Sequence, residues 1–144
     1  MGAVTVVNST TITVPVTVGA SAGLYTHDVI VTNPDGGEGI VNLFTVTAPP
    51  TVTATSPNTI SQGISETTVT ITGTGFESGA TVSFNDANIT PGAVTFVSPT
   101  TLTAPVTVGA SATIGSHDVT VSNPDGGTGT GNSVFTIISA PAIP

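Results

Sequence analysis

Two His-Asp pairs, His27-Asp28 and His117-Asp118, set a general base beside a carboxylate and are the first candidates for acid–base or metal chemistry. They fail as dyads if each lies in an extended strand, because neighbouring strand residues point to opposite faces. Both are read as ordinary strand-edge residues. The nearby serines form no nucleophile elbow and lack a third partner, so no triad is expected. Asp35, Glu38 and Asp125, with the carbonyls of the glycine-rich turns, are candidate oxygen ligands for calcium, and the region of Glu38 and Glu66 is an equally placed alternative. No dense D-x-D-x-D spacing accompanies them, so turn stabilisation is the better-supported role, and no other metal or cofactor is expected. Asn8-Ser9-Thr10 and Asn88-Ile89-Thr90 fit the N-glycosylation triplet, a pattern that arises by chance in a threonine-rich chain. Gly73-Thr74-Gly75 has the wrong spacing for a dinucleotide loop and no helix after it.

The elements that carry these residues are strands. Leu102, Ala104, Val106 and Val108 alternate with threonine or proline, and Ile12, Val14, Val16 and Val18 do the same upstream. Val69 and Ile71 alternate with threonines, and Val119 and Val121 with Thr120 and Ser122. Each run predicts a strand with one packed and one wet face. Pro15 and Pro105 lack a donor, which places them at an edge or a bulge. Asn33-Pro34-Asp35-Gly36-Gly37 and Asn123-Pro124-Asp125-Gly126-Gly127 predict tight hairpins, with proline fixing φ and glycine supplying positive φ.

The chain repeats itself at a spacing of about ninety residues. Gly2-Ala3-Val4-Thr5 returns as Gly92-Ala93-Val94-Thr95, Pro15 to Ser21 as Pro105 to Ser111, and His27-Asp28-Val29 as His117-Asp118-Val119. After one inserted residue, Phe44 falls on Phe135. A unit of that size is one sandwich domain rather than a solenoid turn. Residues 51–91 have no counterpart upstream, so the chain is about one and a half units: a partial unit at 1–48, a linker at 49–52 and a complete unit at 53–144. One chain then holds two closing halves and one opening half. Exchange between copies leaves a closing half uncompleted: either two leftover halves pack together, or sequence outside the chain completes one.

Composition narrows the function classes. There is no lysine or arginine, and eight acidic residues give a net charge of −8. Such a chain cannot release counterions from nucleic acid or bind an anionic membrane surface, and it offers no cleavage site to trypsin-like proteases. With no cysteine there is no disulfide, thiolate metal site or thiol nucleophile. No apolar stretch is long enough for a membrane helix, and no signal sequence is seen. The sole methionine, Met1, stands just before a repeat-like segment, which suggests an excised piece of a longer exported chain.

Ser56-Pro57, Gly63, the run Val69 to Phe76, Val82-Ser83-Phe84, Ser98 to Val106, and the closing Asn123 to Gly127 with Phe135 together resemble the IPT/TIG family over residues 51–138. That resemblance implies an all-β, immunoglobulin-like β-sandwich, with residues 2–50 matching only its later strands. Family members serve as spacers, adhesion modules and DNA-binding domains. The basic loops of the DNA-binding members are absent here. The expectation is a non-catalytic structural repeat of an extracellular or cell-surface protein. It would assemble with itself or with neighbouring repeats into a fibre, sheath or filament through residues 2–50. The alternatives are an adhesion or carbohydrate-binding module, for which a glycan would be the partner and Tyr25 the sole tyrosine on offer, and an accessory domain of a carbohydrate-active enzyme.

Overall fold

The computed structural model describes residues 1–142. The chain divides into two compact units, Met1–Thr47 (unit 1) and the residues from Ala48 on (unit 2).

Unit 1 holds four strands: β1 (Thr5–Asn8), β2 (Thr11–Thr13), β3 (Thr26–Thr32) and β4 (Glu38–Thr45). They form two separate two-stranded sheets, β1 with β2 and β3 with β4. The first turn is tied by the Asn8 side chain, whose Oδ1 accepts from the Thr10 N–H at 2.9 Å and from its hydroxyl at 2.8 Å. The second is the expected Asn-Pro-Asp-Gly hairpin. Gly36 N–H donates to Asn33 C=O at 2.9 Å, and Asn33 N–H to Gly37 C=O at 2.8 Å. Gly36 takes a φ of 90°, a conformation that only glycine enters at little cost.

Unit 2 adds β5 (Thr51–Ser56), β6 (Thr59–Ser61), β7 (Thr67–Thr74), β8 (Thr81–Phe84), β9 (Ile89–Pro91), β10 (Thr95–Ser98), β11 (Thr101–Val108), β12 (Gly115–Ser122) and β13 (Thr128–Ile138). One sheet runs β10-β11-β7-β5, with β9 also on β11, and the other runs β6-β13-β12-β8. All pairings are antiparallel except β13 with β6. The two sheets enclose a core of Val69, Ile71, Leu102, Val106, Val119, Val121, Phe135 and Ile137, each fully buried. Valine and isoleucine fit here because branched side chains pack well on a pleated face, and the tilted Phe84–Phe135 pair, 5.0 Å between ring centres, supplies most of the aromatic bulk. The chain is an all-β, immunoglobulin-like sandwich with a second, partial set of the same strands.

One expectation requires correction. The alternating run from Ile12 to Val18 is a strand only over Thr11–Thr13. Its counterpart β11 extends to Val108 because β7 pairs with residues 101–106 and β9 with 106–108. Alternation supplies a face, but a strand also needs a neighbour, and residues 14–18 have none in unit 1. Pro105 lies inside its sheet and opposite a bulge, one of the two places expected for it: β9 pairs Pro91 with Val106 and β10 pairs Thr95 with Thr103, so residues 92–94 face only 104 and 105. The Pro105 carbonyl accepts from Gly92 N–H at 2.6 Å, so its backbone polar groups face the gap between β9 and β10 and away from β7. No ladder bond is lost at the position where proline has no donor. Gly2 N–H repeats the contact to the Pro15 carbonyl at 2.9 Å in unit 1.

The inserted residue in β13 is absorbed by a bulge. Pairing skips from Val119↔Gly131 to His117↔Phe135, Ser133 takes φ 55°, and its N–H donates to the Asp118 carboxylate at 2.8 Å.

Candidate functional site

The chemically suggestive side chains are placed where they serve the fold. His117 is buried within β12, not at a strand edge. Its Nε2 lies 2.7 Å from the Thr113 carbonyl and its Nδ1 3.0 Å from Asn85 Oδ1, so both ring nitrogens are taken. His27 repeats the first contact, with Nε2 3.0 Å from Gly23 C=O. Its ring also stacks on exposed Tyr25 at 4.2 Å. Asp28 and Asp118 turn away from the histidines beside them and hold backbone or amide groups: Asn42 Nδ2 donates to Asp28 at 2.7 Å.

Asp35 and Asp125 each accept from an N–H of their own turn, Gly37 at 2.9 Å and Gly127 at 2.8 Å. The Glu38 carboxylate accepts from the Thr32 hydroxyl at 3.3 Å across β3–β4. Glu66 sits at φ 51° with its N–H donating to the Thr107 hydroxyl. Among the described residues, no three His, Cys, Asp or Glu side chains converge on one point. A cleft of about 230 Å³ beside β5 and β13 is lined by Thr53, Thr55, Asn58, Thr59, Ser133 and Thr136 with Ala54 and Val134, and carries no titratable group.

Asp86 is the carboxylate whose environment is most distinctive. Thr113 N–H donates to its Oδ2 at 2.8 Å and Asn88 N–H to its Oδ1 at 2.9 Å, and these two backbone donors, Thr113 foremost, hold it below the usual carboxylate range. A group with a lowered folded-state pKa stabilises the fold fully above its unfolded value and loses that contribution as the pH falls through the folded one. Unfolding midpoints measured from about pH 6 down to about pH 2 should therefore drop, and Asp86→Asn should flatten part of that drop.

The residue that sequence reading passed over is Asn123. It was legible only as the first residue of a turn, yet its buried side chain clamps a second loop. Nδ2 donates to the Gly75 carbonyl at 2.8 Å and Oδ1 accepts from Glu77 N–H at 3.2 Å. Asn123→Ala leaves both backbone groups without a partner and should cost about 2–3 kcal/mol in a denaturant titration.

The feature that sets unit 1 apart is a surface. Positions that are sealed in unit 2 are open there: Phe135 is 0 % exposed and Phe44 39 %, Val106 0 % and Val16 49 %, Val119 0 % and Val29 38 %. Ile12, Val18 and Val31 continue the same open face. The opposite face of β3–β4 differs as well. Thr120 and Thr130 pair through their hydroxyls at 2.8 Å in unit 2, whereas unit 1 pairs Ile30 with Ile40, both largely exposed.

The IPT/TIG domain family model matches residues 50–137, the span that contains β5 to β13 apart from its last residue. No curated protein matches the chain. The two facing sheets, the Asn-Pro-Asp-Gly hairpin and that match lead to one conclusion: the chain belongs to the IPT/TIG domain family.

Proposed function

We propose that this chain is a non-catalytic structural repeat of an exported surface fibre or sheath, and that unit 1 is the joint through which it meets its neighbours. The observation that carries the reading is the contrast between equal positions in the two units. Aliphatic and aromatic side chains buried to completion in unit 2 stand about half open in unit 1, and contiguous apolar surface of that kind marks an interaction site. The Ile30–Ile40 pair adds an apolar spot to the second face of the hairpin, between the polar pairs Asp28–Asn42 and Thr32–Glu38. Absence of basic residues suits a surface exposed to proteases. Side chains with acid, base or ligand chemistry are committed to turns and bulges, which supports a role without catalysis.

A glycan-binding reading would rest on Tyr25, the only tyrosine, whose ring is well exposed. One face of that ring is already stacked on His27, and no second ring flanks it, so the structural reading is favoured.

Light scattering over a concentration series, with electron microscopy of the same samples, tests the proposal. Oligomers or filaments are expected, and Ile30→Thr with Ile40→Thr should disperse them by restoring the polar pair of unit 2. A monomer at every concentration would sink the assembly role.

A further inference from the structure

We propose that the inner face of unit 1 is an acceptor for the opening half of a repeat, a segment patterned like residues 50–91 but distinct from residues 50–91 of this chain or of a copy. The proposal rests on the structural reading above and names what fills its joint. Unit 2 supplies the template, because there the interface between opening strands β5–β9 and closing strands β10–β13 is complete.

Three features of the closing half of unit 2 serve the opening half. Asn123 holds the backbone at Gly75 and Glu77. His117 Nδ1 meets Asn85 Oδ1. Gly129 lies so close to β5 that an added Cβ would fall on the Pro50 carbonyl. All three recur in unit 1, as Asn33, His27 and Gly39. Gly39 is the most telling of them. A Cβ there would meet nothing within 4 Å, and the residue is the second of β4, already paired with Val31 and past the Asn33–Gly37 turn, where glycine weakens a strand and makes no turn. Inside unit 1 its lack of a side chain has no use. Against an opening half it has the use that Gly129 shows.

A second copy cannot supply the opening half, by count. Residues 1–142 hold one opening half, already engaged by its own β10–β13, and two closing halves, so exchange of that segment among copies moves the vacancy without filling it. The face also sets a size limit on its partner. Val41 stands where unit 2 has Gly131, and a Cβ on Gly131 would come 2.8 Å from the Val52 side chain and 3.0 Å from its carbonyl. The partner strand must therefore carry a residue smaller than valine at the place of Val52.

The test places residues 48–91 directly before Gly2 of the full chain, so that Pro91 joins Gly2 as it joins Gly92, with and without Val52→Ala in the added segment. Amide exchange over residues 26–45 should slow by roughly 100-fold or more, and more with Val52→Ala. Gly39→Ala should abolish that gain in the fusion while leaving the unfused chain unchanged. Unaltered exchange in both fusions overturns the proposal, as does a gain that survives Gly39→Ala. Single thiols address the rival occupant. If Val29→Cys chains form disulfide dimers faster than Ile30→Cys chains, a second copy is seated on the inner face and the proposal falls. Closure of the fusion together with a strictly monomeric parent chain would keep this proposal and remove the assembly role.

Discussion

Gly129→Ala is expected to destabilise unit 2 by about 3 kcal/mol or more, a large share of what a small domain has to lose. The added methyl would fall on backbone atoms of Pro50 and Thr51, and backbone in a paired strand cannot swing aside as a flexible side chain can. Relief would require β5 to lift from β13, which unseats Val52 from the core. The same substitution at Gly39 meets open space and should change stability by no more than about 0.5 kcal/mol in either direction. Urea titrations of the two variants against the parent chain give both numbers. Equal effects at the two positions would show that unit 1 is covered in the way that unit 2 is.

Phe135→Ala gives the second large effect. The ring is fully buried between the sheets and packs on Phe84, so its removal takes away both transfer free energy and packing, about 3–5 kcal/mol. Phe44 occupies the matching place opposite a histidine, Phe44↔His27 as Phe135↔His117, yet it is more than a third exposed. A side chain only partly buried loses less when cut back, so Phe44→Ala should cost about 1–2 kcal/mol, well below Phe135→Ala. Calorimetry of both variants, followed by the tyrosine signal of Tyr25 for unit 1, separates the two units.

Much of unit 2 was legible because its strands obey a period of two. The faces predicted from Val69, Ile71, Leu102, Val106, Val119 and Val121 are the buried ones. The Asn-Pro-Asp-Gly turns were legible because proline and glycine restrict φ locally, and local restrictions survive in any context. The errors came where a residue's state depends on a distant partner. Ile12 to Val18 carries the same alternation as β11 but lacks the neighbours that make β11 a strand. His117 is interior rather than marginal because Asn85 and Thr113 reach it across the fold. The role of Asn123 was hidden for the same reason, since its partners lie 46 and 48 residues away.

The repeat itself carries the functional information. Two nearly equal sequences, one with its opening strands and one without, let each exposed residue of unit 1 be compared with a sealed version of itself. Residues retained without a local use, Gly39 above all, then indicate what the open surface is shaped to receive.

Amide hydrogen exchange of the full chain at low concentration decides whether unit 1 is open. Two tiers are expected: slow exchange along β7, β11 and β12, whose side chains close the core, and fast exchange along β3 and β4, which pair only with one another. Equal protection of residues 28–44 and 118–135 would show that unit 1 closes on its own, and would contradict the reading of its face as an open joint.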